Sequence, residues 1–293
     1  MKPLHLLLAI VIAAVWGFNF VIIKVGVAAV PPFLLTGLRF LLCAVPAVFF
    51  IQRPNVSWRY VAGFGLMLSI GQFVFLFLAV YLGMSASLAS LVLQLQAFFT
   101  MFFAIFALRE IPKPVQLLGA CLAFGGIGLI ALKRWSGPDA LPLILCVIGA
   151  AGWGASNIIA KLAKPQNAVN FVVWASLAAP LPLFAMSWIF ESHNKISAVF
   201  WHPTWLGTIA IFYLAYLSTL FGYSAWNYLL NRYPAGTVAP FSLLVPLFGI
   251  ASGIIVLGEG FDRFEIAGAA LVIAGLVVAN FDLGIFTRKR AEP

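Results

Sequence analysis

Long apolar stretches alternate with short polar connections along almost the whole chain. A helix needs roughly 20 predominantly apolar residues to cross a bilayer, and each of these stretches is close to that length. The pattern therefore predicts ten membrane-spanning helices: Leu4–Val27, Phe33–Ile51, Tyr60–Leu82, Ala86–Leu108, Val115–Leu132, Leu141–Leu162, Asn170–Phe190, Trp205–Leu230, Ala235–Leu257 and Phe264–Phe286. The longest connection, Glu191–Thr204, is predicted to be a loop.

Composition also indicates an all-α membrane protein. Of 293 residues, 63% are hydrophobic and 9% are charged, whereas soluble proteins have about 25% charged residues. The three cysteines, Cys43, Cys121 and Cys146, fall within apolar segments, so we expect small buried side chains rather than disulfides. The sequence contains no phosphate-binding loop, metal-ligand cluster or His/Cys nucleophile arrangement. We therefore expect membrane lipid as a partner, and neither a cofactor nor a metal.

The net charge of +9 comes from basic residues scattered singly or in pairs through short connections. That distribution favours a role in membrane orientation over nucleic-acid binding. Placing the N-terminus in the cytoplasm puts most of the basic residues there: Lys2, Arg53, Arg59, Arg109, Lys113, Lys161, Lys164, Arg232, Arg288, Lys289 and Arg290. The opposite side then holds only Lys133, Arg134, Lys195 and Arg263. The bias predicts that both termini are cytoplasmic, with no nucleic-acid partner.

Two stretches of the chain repeat each other at constant spacing. Ala13–Gly17 with Ile22 and Lys24 recurs as Ala150–Gly154 with Ile159 and Lys161. A second match pairs Leu108, Glu110, Gly119, Ala120, Leu122 and Gly126 with Leu257, Glu259, Gly268, Ala269, Leu271 and Gly275. The repeats predict two halves, residues 1–135 and 141–287. Because each half has five helices, an odd number, the halves enter the membrane in opposite orientations, as in many secondary transporters.

These and further motifs resemble the EamA-type drug/metabolite transporters. The resemblance rests on the paired Trp-Gly…Lys segments, Leu38-Arg39-Phe40, Ser87–Leu91, Glu110, Glu259 and Ser242–Pro246, and it covers essentially the whole chain. Leu88–Thr100 and Ala239–Pro246 are most similar to bacterial exporters of cysteine and O-acetylserine, followed by exporters of aromatic amino acids. The resemblance implies an inner-membrane carrier in which helices one to four and six to nine surround a central cavity. The fifth and tenth helices would be peripheral.

Polar side chains inside spanning helices are the candidates for substrate binding, since they are costly in a bilayer. They are Asn19, Gln72, Gln94, Gln96, Asn157, Tyr213, Tyr216, Tyr223 and Asn227. The last four keep close to one face of the eighth predicted helix. Gln94 and Gln96 point about 200° apart on an α-helix, so one is expected to face the cavity and the other a neighbouring helix. Hydrogen bonds between helices and an interfacial aromatic belt are the alternative roles.

Arg39 lies about two turns inside the second predicted helix. A buried guanidinium group needs a partner, so Arg39 is expected to bind a substrate carboxylate or to extend to the membrane interface. Lys24 and Lys161, nearer to helix ends, are expected to extend to the interface. No Asp or Glu lies near the middle of a predicted helix. This pattern favours a facilitator or an exchanger over a pump with a central carboxylate relay.

Several residues are candidates for hinges or close packing. Trp16 and Trp153 adjoin Gly17 and Gly154, where helices can approach closely. Pro240 and Pro246 interrupt the ninth predicted helix, giving either a hinge with free carbonyl groups or a static kink.

Together these features predict a carrier that exports a small zwitterionic metabolite, such as a neutral or aromatic amino acid, by alternating access across the bacterial inner membrane. Export of drugs or other metabolites, an intramembrane channel and a lipid-modifying enzyme are the alternatives.

Overall fold

The computed structural model describes residues 1–134, 140–233 and 238–280, and every regular element in these ranges is helical. In chain order the helices are α1 (Pro3–Ala29), α2 (Pro32–Ala44), α3 (Trp58–Tyr81), α4 (Ala86–Leu108), α5 (Pro114–Arg134), α6 (Ala140–Ala163), α7 (Ala168–Phe190, interrupted), α8 (His193–Trp201), α9 (residues 205–232), α10 (residues 239–257) and α11 (Arg263–Asn280). Within the described ranges, eight helical segments are long and apolar enough to cross a membrane, and Phe241–Leu257 is a shorter apolar helix.

Local sequence explains many of the helix ends. The Ser85 hydroxyl accepts a hydrogen bond from the backbone N–H of Leu88 and caps α4, and Asn167 caps α7 in the same way. At the C-terminal end of α10, Gly258 adopts a left-handed conformation with φ of 67°, which glycine accepts without strain. These caps fix where the long apolar helices begin and end.

Prolines interrupt two of the predicted helices, and the predicted loop Glu191–Thr204 differs from the structure. The second predicted helix is interrupted: α2 stops at Ala44, and a short 3-10 turn, Ala47–Phe49, follows Pro46. Likewise, α7 is interrupted between Ser176 and Pro180. Proline has no backbone N–H to donate and clashes with the preceding helical turn. The predicted loop Glu191–Thr204 contains the helix α8, which buries none of its residues.

Irregular turns occur at corresponding places in the two halves. α3 contains a π-helical stretch, Met67–Val74, and α9 contains one at Tyr213–Phe221. α4 contains a 3-10 turn, Leu93–Leu95, and α10 begins with one at Ala239–Leu243. Such departures from α-helical geometry are frequent at functional sites.

Glycines allow the two halves to pack closely. A Cβ atom on Gly17 of α1 would collide with Phe248 of α10, and one on Gly154 of α6 would collide with Phe99 of α4. α5 packs against α11 through Gly119 beside Gly275 and Gly126 beside Gly268. In both halves, therefore, a glycine that follows a tryptophan lies where a helix of the other half approaches closely.

Large apolar side chains remain on the outside of the bundle, including Leu181 (82% exposed), Ile255 (81%) and Trp201 (80%). Cys43 and Cys146 are buried as expected, whereas Cys121 of α5 is exposed. An apolar exterior of this kind suits a lipid environment.

Candidate substrate cavity

A cavity of about 470 Å³ lies between the helices. Its described lining residues come from α1, α2, α3, α4, α6, α7, α9 and α10 and from the α6–α7 connection, and none of them comes from α5 or α11. A second cavity of about 510 Å³ lies at one end of the bundle, near Pro31, Tyr81 and Glu191. We assign the site to the first, central cavity because the buried polar side chains of Asn19, Arg39, Gln72 and Gln94, which come from four different helices, all line it.

Arg39 of α2 lines this cavity with only 2% of its surface exposed. Its Nε donates a hydrogen bond to Thr219 Oγ1 at 3.1 Å. Its guanidinium carbon lies 3.8 Å from the ring centroid of Phe73, close enough for a cation–π contact. Its Nη1 has no hydrogen-bond partner. Arg39 is therefore fixed in the bundle with donor capacity left over, and it does not extend to the membrane interface.

Asn19 of α1 and Gln72 of α3 line the same cavity and are 6% and 2% exposed. Asn19 Oδ1 and Gln72 Oε1 also lack a hydrogen-bond partner. An unsatisfied buried polar group costs about 1–3 kcal/mol, and folded proteins pair nearly all such groups. Asn19, Arg39 and Gln72 each have a buried polar atom without a partner and all line one cavity, which makes this cavity the candidate substrate site.

Gln94 and Gln96 of α4 both line the cavity. Gln96 also bonds to a neighbouring helix, as expected, but the expectation that only one of the two would face the cavity is wrong. The 3-10 turn Leu93–Leu95 explains the difference. With three residues per turn, positions two apart lie about 120° apart around the helix axis. On an α-helix the angle is about 160°, which is the 200° given earlier measured in the other direction. Asn157 of α6 also lines the cavity, and its Nδ2 donates to Gln96 Oε1 at 2.9 Å and to Thr100 Oγ1 at 3.1 Å.

The tyrosines of α9 do not share one face. Tyr223 lines the cavity, whereas the Tyr213 hydroxyl donates to the Val15 carbonyl oxygen at 2.8 Å and lies in a different groove. Tyr216 stacks on Phe212, with ring centroids 5.8 Å apart, and is not among the lining residues. The π-helical stretch Tyr213–Phe221 changes the helical register, which a regular α-helix would have kept. The Asn227 side chain lies outside the described part of the structure.

The paired tryptophans both line the cavity, and Trp16 Nε1 donates to the Ser218 carbonyl oxygen at 2.9 Å. Gly17 and Gly154 beside them lie at the close helix contacts described above. Pro246 is buried in the α-helical part of α10. Pro240 falls in the 3-10 turn that precedes it, and its side chain is not described.

Sequence reasoning missed much of the aromatic lining. Phe64, Phe73, Phe171 and Trp226 line the cavity. Because the chain has 28 phenylalanines and nine tryptophans, residue type alone does not distinguish these rings from rings that lie in the core or face lipid. The position of Phe73 directly after Gln72 is the one local signal.

At one end of the bundle, which we call the Glu259 end, the carboxylates of Glu259 and Glu191 each accept hydrogen bonds from the backbone at the start of another helix. Glu259 Oε1 and Oε2 accept hydrogen bonds from the backbone N–H groups of Ala86 and Ser87 at 2.7 and 2.8 Å. Beside them, Lys24 Nζ donates to the Met84 carbonyl oxygen at 3.2 Å. None of these residues lines the central cavity.

Glu191 makes a similar cap at the same end. Its carboxylate accepts hydrogen bonds from the backbone N–H groups of Phe33 and Leu34 at 2.6 and 3.2 Å and from the Ser187 hydroxyl at 2.6 Å. Burial raises the pKa of the Glu191 carboxyl group above its usual value, although these hydrogen bonds act in the opposite direction.

The opposite end, which we call the Glu110 end, is more open. Lys161 Nζ donates to the Glu110 carboxylate oxygens at 2.7 and 2.9 Å, and both side chains are about half exposed. Lys161 thus forms an ion pair rather than only extending to the interface. The cavity reaches towards this end, where Ala160, Pro165 and Ala168 line it around the α6–α7 connection.

The chain matches the EamA-like transporter family over residues 4–132 and again over residues 140–281. It belongs to this family. A protein of Salmonella typhimurium named "Probable amino-acid metabolite efflux pump" is 42% identical over 97% of both chains. An Escherichia coli K12 protein of the same name is 38% identical over 94% of both chains. One crystal structure, 20% identical, covers 95% of this chain and 98% of its own with a TM-score of 0.60, a likeness of fold alone. The EamA-like chain is therefore a multi-pass membrane transporter.

Proposed function

We propose that this EamA-like transporter exports an amino-acid metabolite from the cytoplasm by alternating access through the central cavity. The observation that carries the proposal is the set of buried, unpaired polar atoms on Asn19, Arg39 and Gln72 around one cavity inside an apolar bundle. In a membrane, polar groups of this kind mark a substrate pathway.

We place the chain in the bacterial inner membrane as two inverted five-helix repeats with both termini in the cytoplasm. Two contacts between the halves support this arrangement: Gly17 packs against Phe248, and Gly154 packs against Phe99. Gly17 and Gly154 occupy equivalent positions in the two proposed repeats. Phe99 and Phe248 do so as well, because each lies the same number of residues before the glutamate that follows its helix. The family also matches twice, once in each half. Two halves that exchange contacts can exchange conformations, which is the physical basis of alternating access in inverted repeats.

The two ends of the bundle support an inward-open state. The cavity extends towards the Glu110 end, and the excess of basic residues at this end supports a cytoplasmic location for it. At the Glu259 end, carboxylates hold the starts of α2 and α4. During export, these caps would separate while the Glu110 end closes.

The substrate class follows from the cavity and the relatives. The lining combines amides, one guanidinium group and aromatic rings, which suits a small polar metabolite with an apolar part. The two relatives named as amino-acid metabolite efflux pumps cover nearly the whole chain and support an amino-acid metabolite as the substrate.

Counterflow in proteoliposomes tests the proposal. Vesicles containing the purified protein would be loaded with each of the twenty amino acids or O-acetylserine, and uptake of the same labelled compound would be followed. If the protein is a carrier, uptake of at least one of these compounds should be saturable and should be accelerated by the unlabelled compound inside the vesicles. Linear uptake without trans-acceleration would indicate a channel, and no uptake of any compound would refute the substrate class.

A further inference from the structure

We infer that Thr100 of α4 determines which hydrogen-bonding atoms one wall of the central cavity offers to a substrate: the Asn157 oxygen as an acceptor and the Gln96 NH2 group as a donor. The inference rests on the proposed function and adds a specificity to it. A substrate group that both donates and accepts hydrogen bonds, such as a carboxamide, matches this pair of atoms. Thr100 is not among the described residues that line the cavity, so it acts as a positioning residue.

A close contact between α4 and α6 brings these side chains together. Gly154 of α6 has no Cβ, and a Cβ atom there would lie 2.7 Å from Phe99 Cβ and 2.9 Å from the backbone nitrogen of Thr100. Asn157 follows three residues later, about one turn along the same face of α6. Its short side chain therefore reaches α4, where it contacts both Gln96 and Thr100.

The hydroxyl group of Thr100 gives the hydrogen bonds between these residues a direction. Thr100 Oγ1 donates to the Gln96 carbonyl oxygen at 2.7 Å, and a hydroxyl has only one hydrogen to donate. Towards Asn157 it can therefore only accept, and Asn157 Nδ2 donates to it at 3.1 Å. The other hydrogen of that NH2 group goes to Gln96 Oε1 at 2.9 Å. Thr100 thus fixes the orientation of both amide groups.

Without this hydroxyl, the bond between the two amides would have no fixed direction. An amide has an oxygen acceptor on one side and an NH2 donor on the other, and the two sides have almost the same shape. Turning both amides by 180° would keep a hydrogen bond between Gln96 and Asn157 but exchange the atoms that each presents. Among the described residues, Thr100 is the partner that distinguishes the two orientations.

The fixed orientation leaves one acceptor and one donor for a ligand. Asn157 Oδ1 and Gln96 Nε2 take no part in the hydrogen bonds of the pair, and both residues are partly exposed and line the central cavity. The 2.9 Å bond keeps the two amides side by side. A carboxamide has an N–H to donate to Asn157 Oδ1 and an oxygen to accept from Gln96 Nε2, whereas a sulfoxide or an ester has only the acceptor.

Helix packing alone does not require this polar pair. In the proposed repeat, the contact between α1 and α10 is equivalent to the contact between α6 and α4. The positions equivalent to the two amides and the threonine are occupied there by residues without a polar side chain: Phe20, Val245 and Gly249. α1 and α10 nevertheless pack closely. The polar pair is therefore a feature of one wall of the cavity, as expected of groups that bind substrate rather than of groups that hold helices together.

Glutamine and methionine sulfoxide distinguish a substrate group that donates and accepts from one that only accepts. Their side chains are similar in length, but the sulfoxide has an oxygen acceptor and no N–H. Each would compete with the labelled compound that gives counterflow in proteoliposomes. We expect glutamine to compete about tenfold more strongly, because methionine sulfoxide leaves Asn157 Oδ1 without a donor.

Variants of Thr100 test whether the threonine causes this preference. Thr100→Val keeps the shape of the side chain but removes the hydroxyl group, so it should lower the ratio between the two competitors close to one. Thr100→Ser keeps the hydroxyl group and should keep the preference. Thr100→Ala also lacks the hydroxyl and cannot crowd its neighbours, so it supplies the same comparison if the valine variant does not fold. A ratio between competitors does not depend on how much of a variant folds.

Thr36→Val on α2 is the matched control. Thr36 Oγ1 donates to the Pro32 carbonyl oxygen at 2.7 Å, the same bond to the fourth preceding residue that Thr100 makes. Thr36 is not among the described residues that line the central cavity. Loss of its hydroxyl group should leave the ratio between glutamine and methionine sulfoxide at the wild-type value.

Two results would overturn the inference while leaving the proposed function standing: methionine sulfoxide competing as well as glutamine in the wild type, or a ratio that is the same in the wild type, Thr100→Val and Thr100→Ala. Absence of counterflow for every compound tested with the wild type would instead refute the proposed function.

Discussion

Glu259, which follows α10, accepts a hydrogen bond from the backbone N–H of Ser87 at the start of α4 at 2.8 Å. The second half of the chain thereby holds the first half at one end of the bundle. Glu110, its partner in the proposed repeat, instead pairs with Lys161 at the opposite end, half exposed to solvent. The two glutamates thus lie in different environments, which supports the proposed state that is closed at the Glu259 end and open at the Glu110 end.

Glu259→Gln should loosen the Glu259 end. The substitution keeps the size of the side chain but removes the charge that strengthens two hydrogen bonds to backbone N–H groups, and hydrogen bonds to charged groups contribute about 1.5–3 kcal/mol. We expect a lower Tm, and faster labelling of a cysteine introduced at Ser218 in the cavity by an impermeant maleimide added outside intact cells.

Glu110→Gln is the matched control for that experiment. Exposed ion pairs contribute about 0–1 kcal/mol, so we expect little change in Tm and no faster labelling from outside. Equal labelling rates in the two variants would contradict the assignment of Glu259 to the closed end.

Gly17→Ala and Gly154→Ala should each destabilise the fold, because the added Cβ would collide with Phe248 or Phe99 of the facing helix. Gly125→Ala on α5 is the control, since nothing lies within 4 Å of the added atom. Alanine favours a helix over glycine by about 1 kcal/mol, so this control should be neutral or more stable. Thermal unfolding in detergent measures all three. Equal stability of the three variants would show that the halves do not pack closely at Gly17 and Gly154.

Glu191 should make stability depend on pH in a definite direction. Since burial raises the pKa of its carboxyl group, the folded state binds a proton more tightly than the unfolded state does. The stabilisation from that proton is complete at low pH and is lost as pH rises through the raised pKa. The Tm of the wild type, relative to that of Glu191→Gln, should therefore fall as pH rises above about 4. A difference that stayed constant or grew with pH would contradict the burial of this carboxyl group.

The sequence predicts the helices well because a run of apolar residues has few alternatives in a membrane. It does not predict irregular turns, which depend on contacts between helices. The π-helical stretch at Tyr213–Phe221 separates Tyr213 from Tyr223, and the 3-10 turn at Leu93–Leu95 brings Gln94 and Gln96 to the same cavity.

In the candidate site, too, the sequence identifies some residues and not others. Arg39, Asn19 and Gln72 are identifiable because polar groups are rare in apolar helices. Phe73 and Trp226 are not, because aromatic residues are common throughout the chain. The sequence does not predict α8, because this short, exposed helix lacks the apolar length that identifies the other helices.

Substrate counterflow with cavity variants decides whether the central cavity is the transport site. Proteoliposomes containing the wild type, Gln72→Ala, Asn157→Ala or Gln116→Ala would be compared at equal amounts of folded protein. We expect Gln72→Ala and Asn157→Ala to lose at least about tenfold in apparent affinity or rate, whereas Gln116→Ala should transport like the wild type. Wild-type counterflow in both cavity variants would contradict the assignment of the central cavity as the transport site.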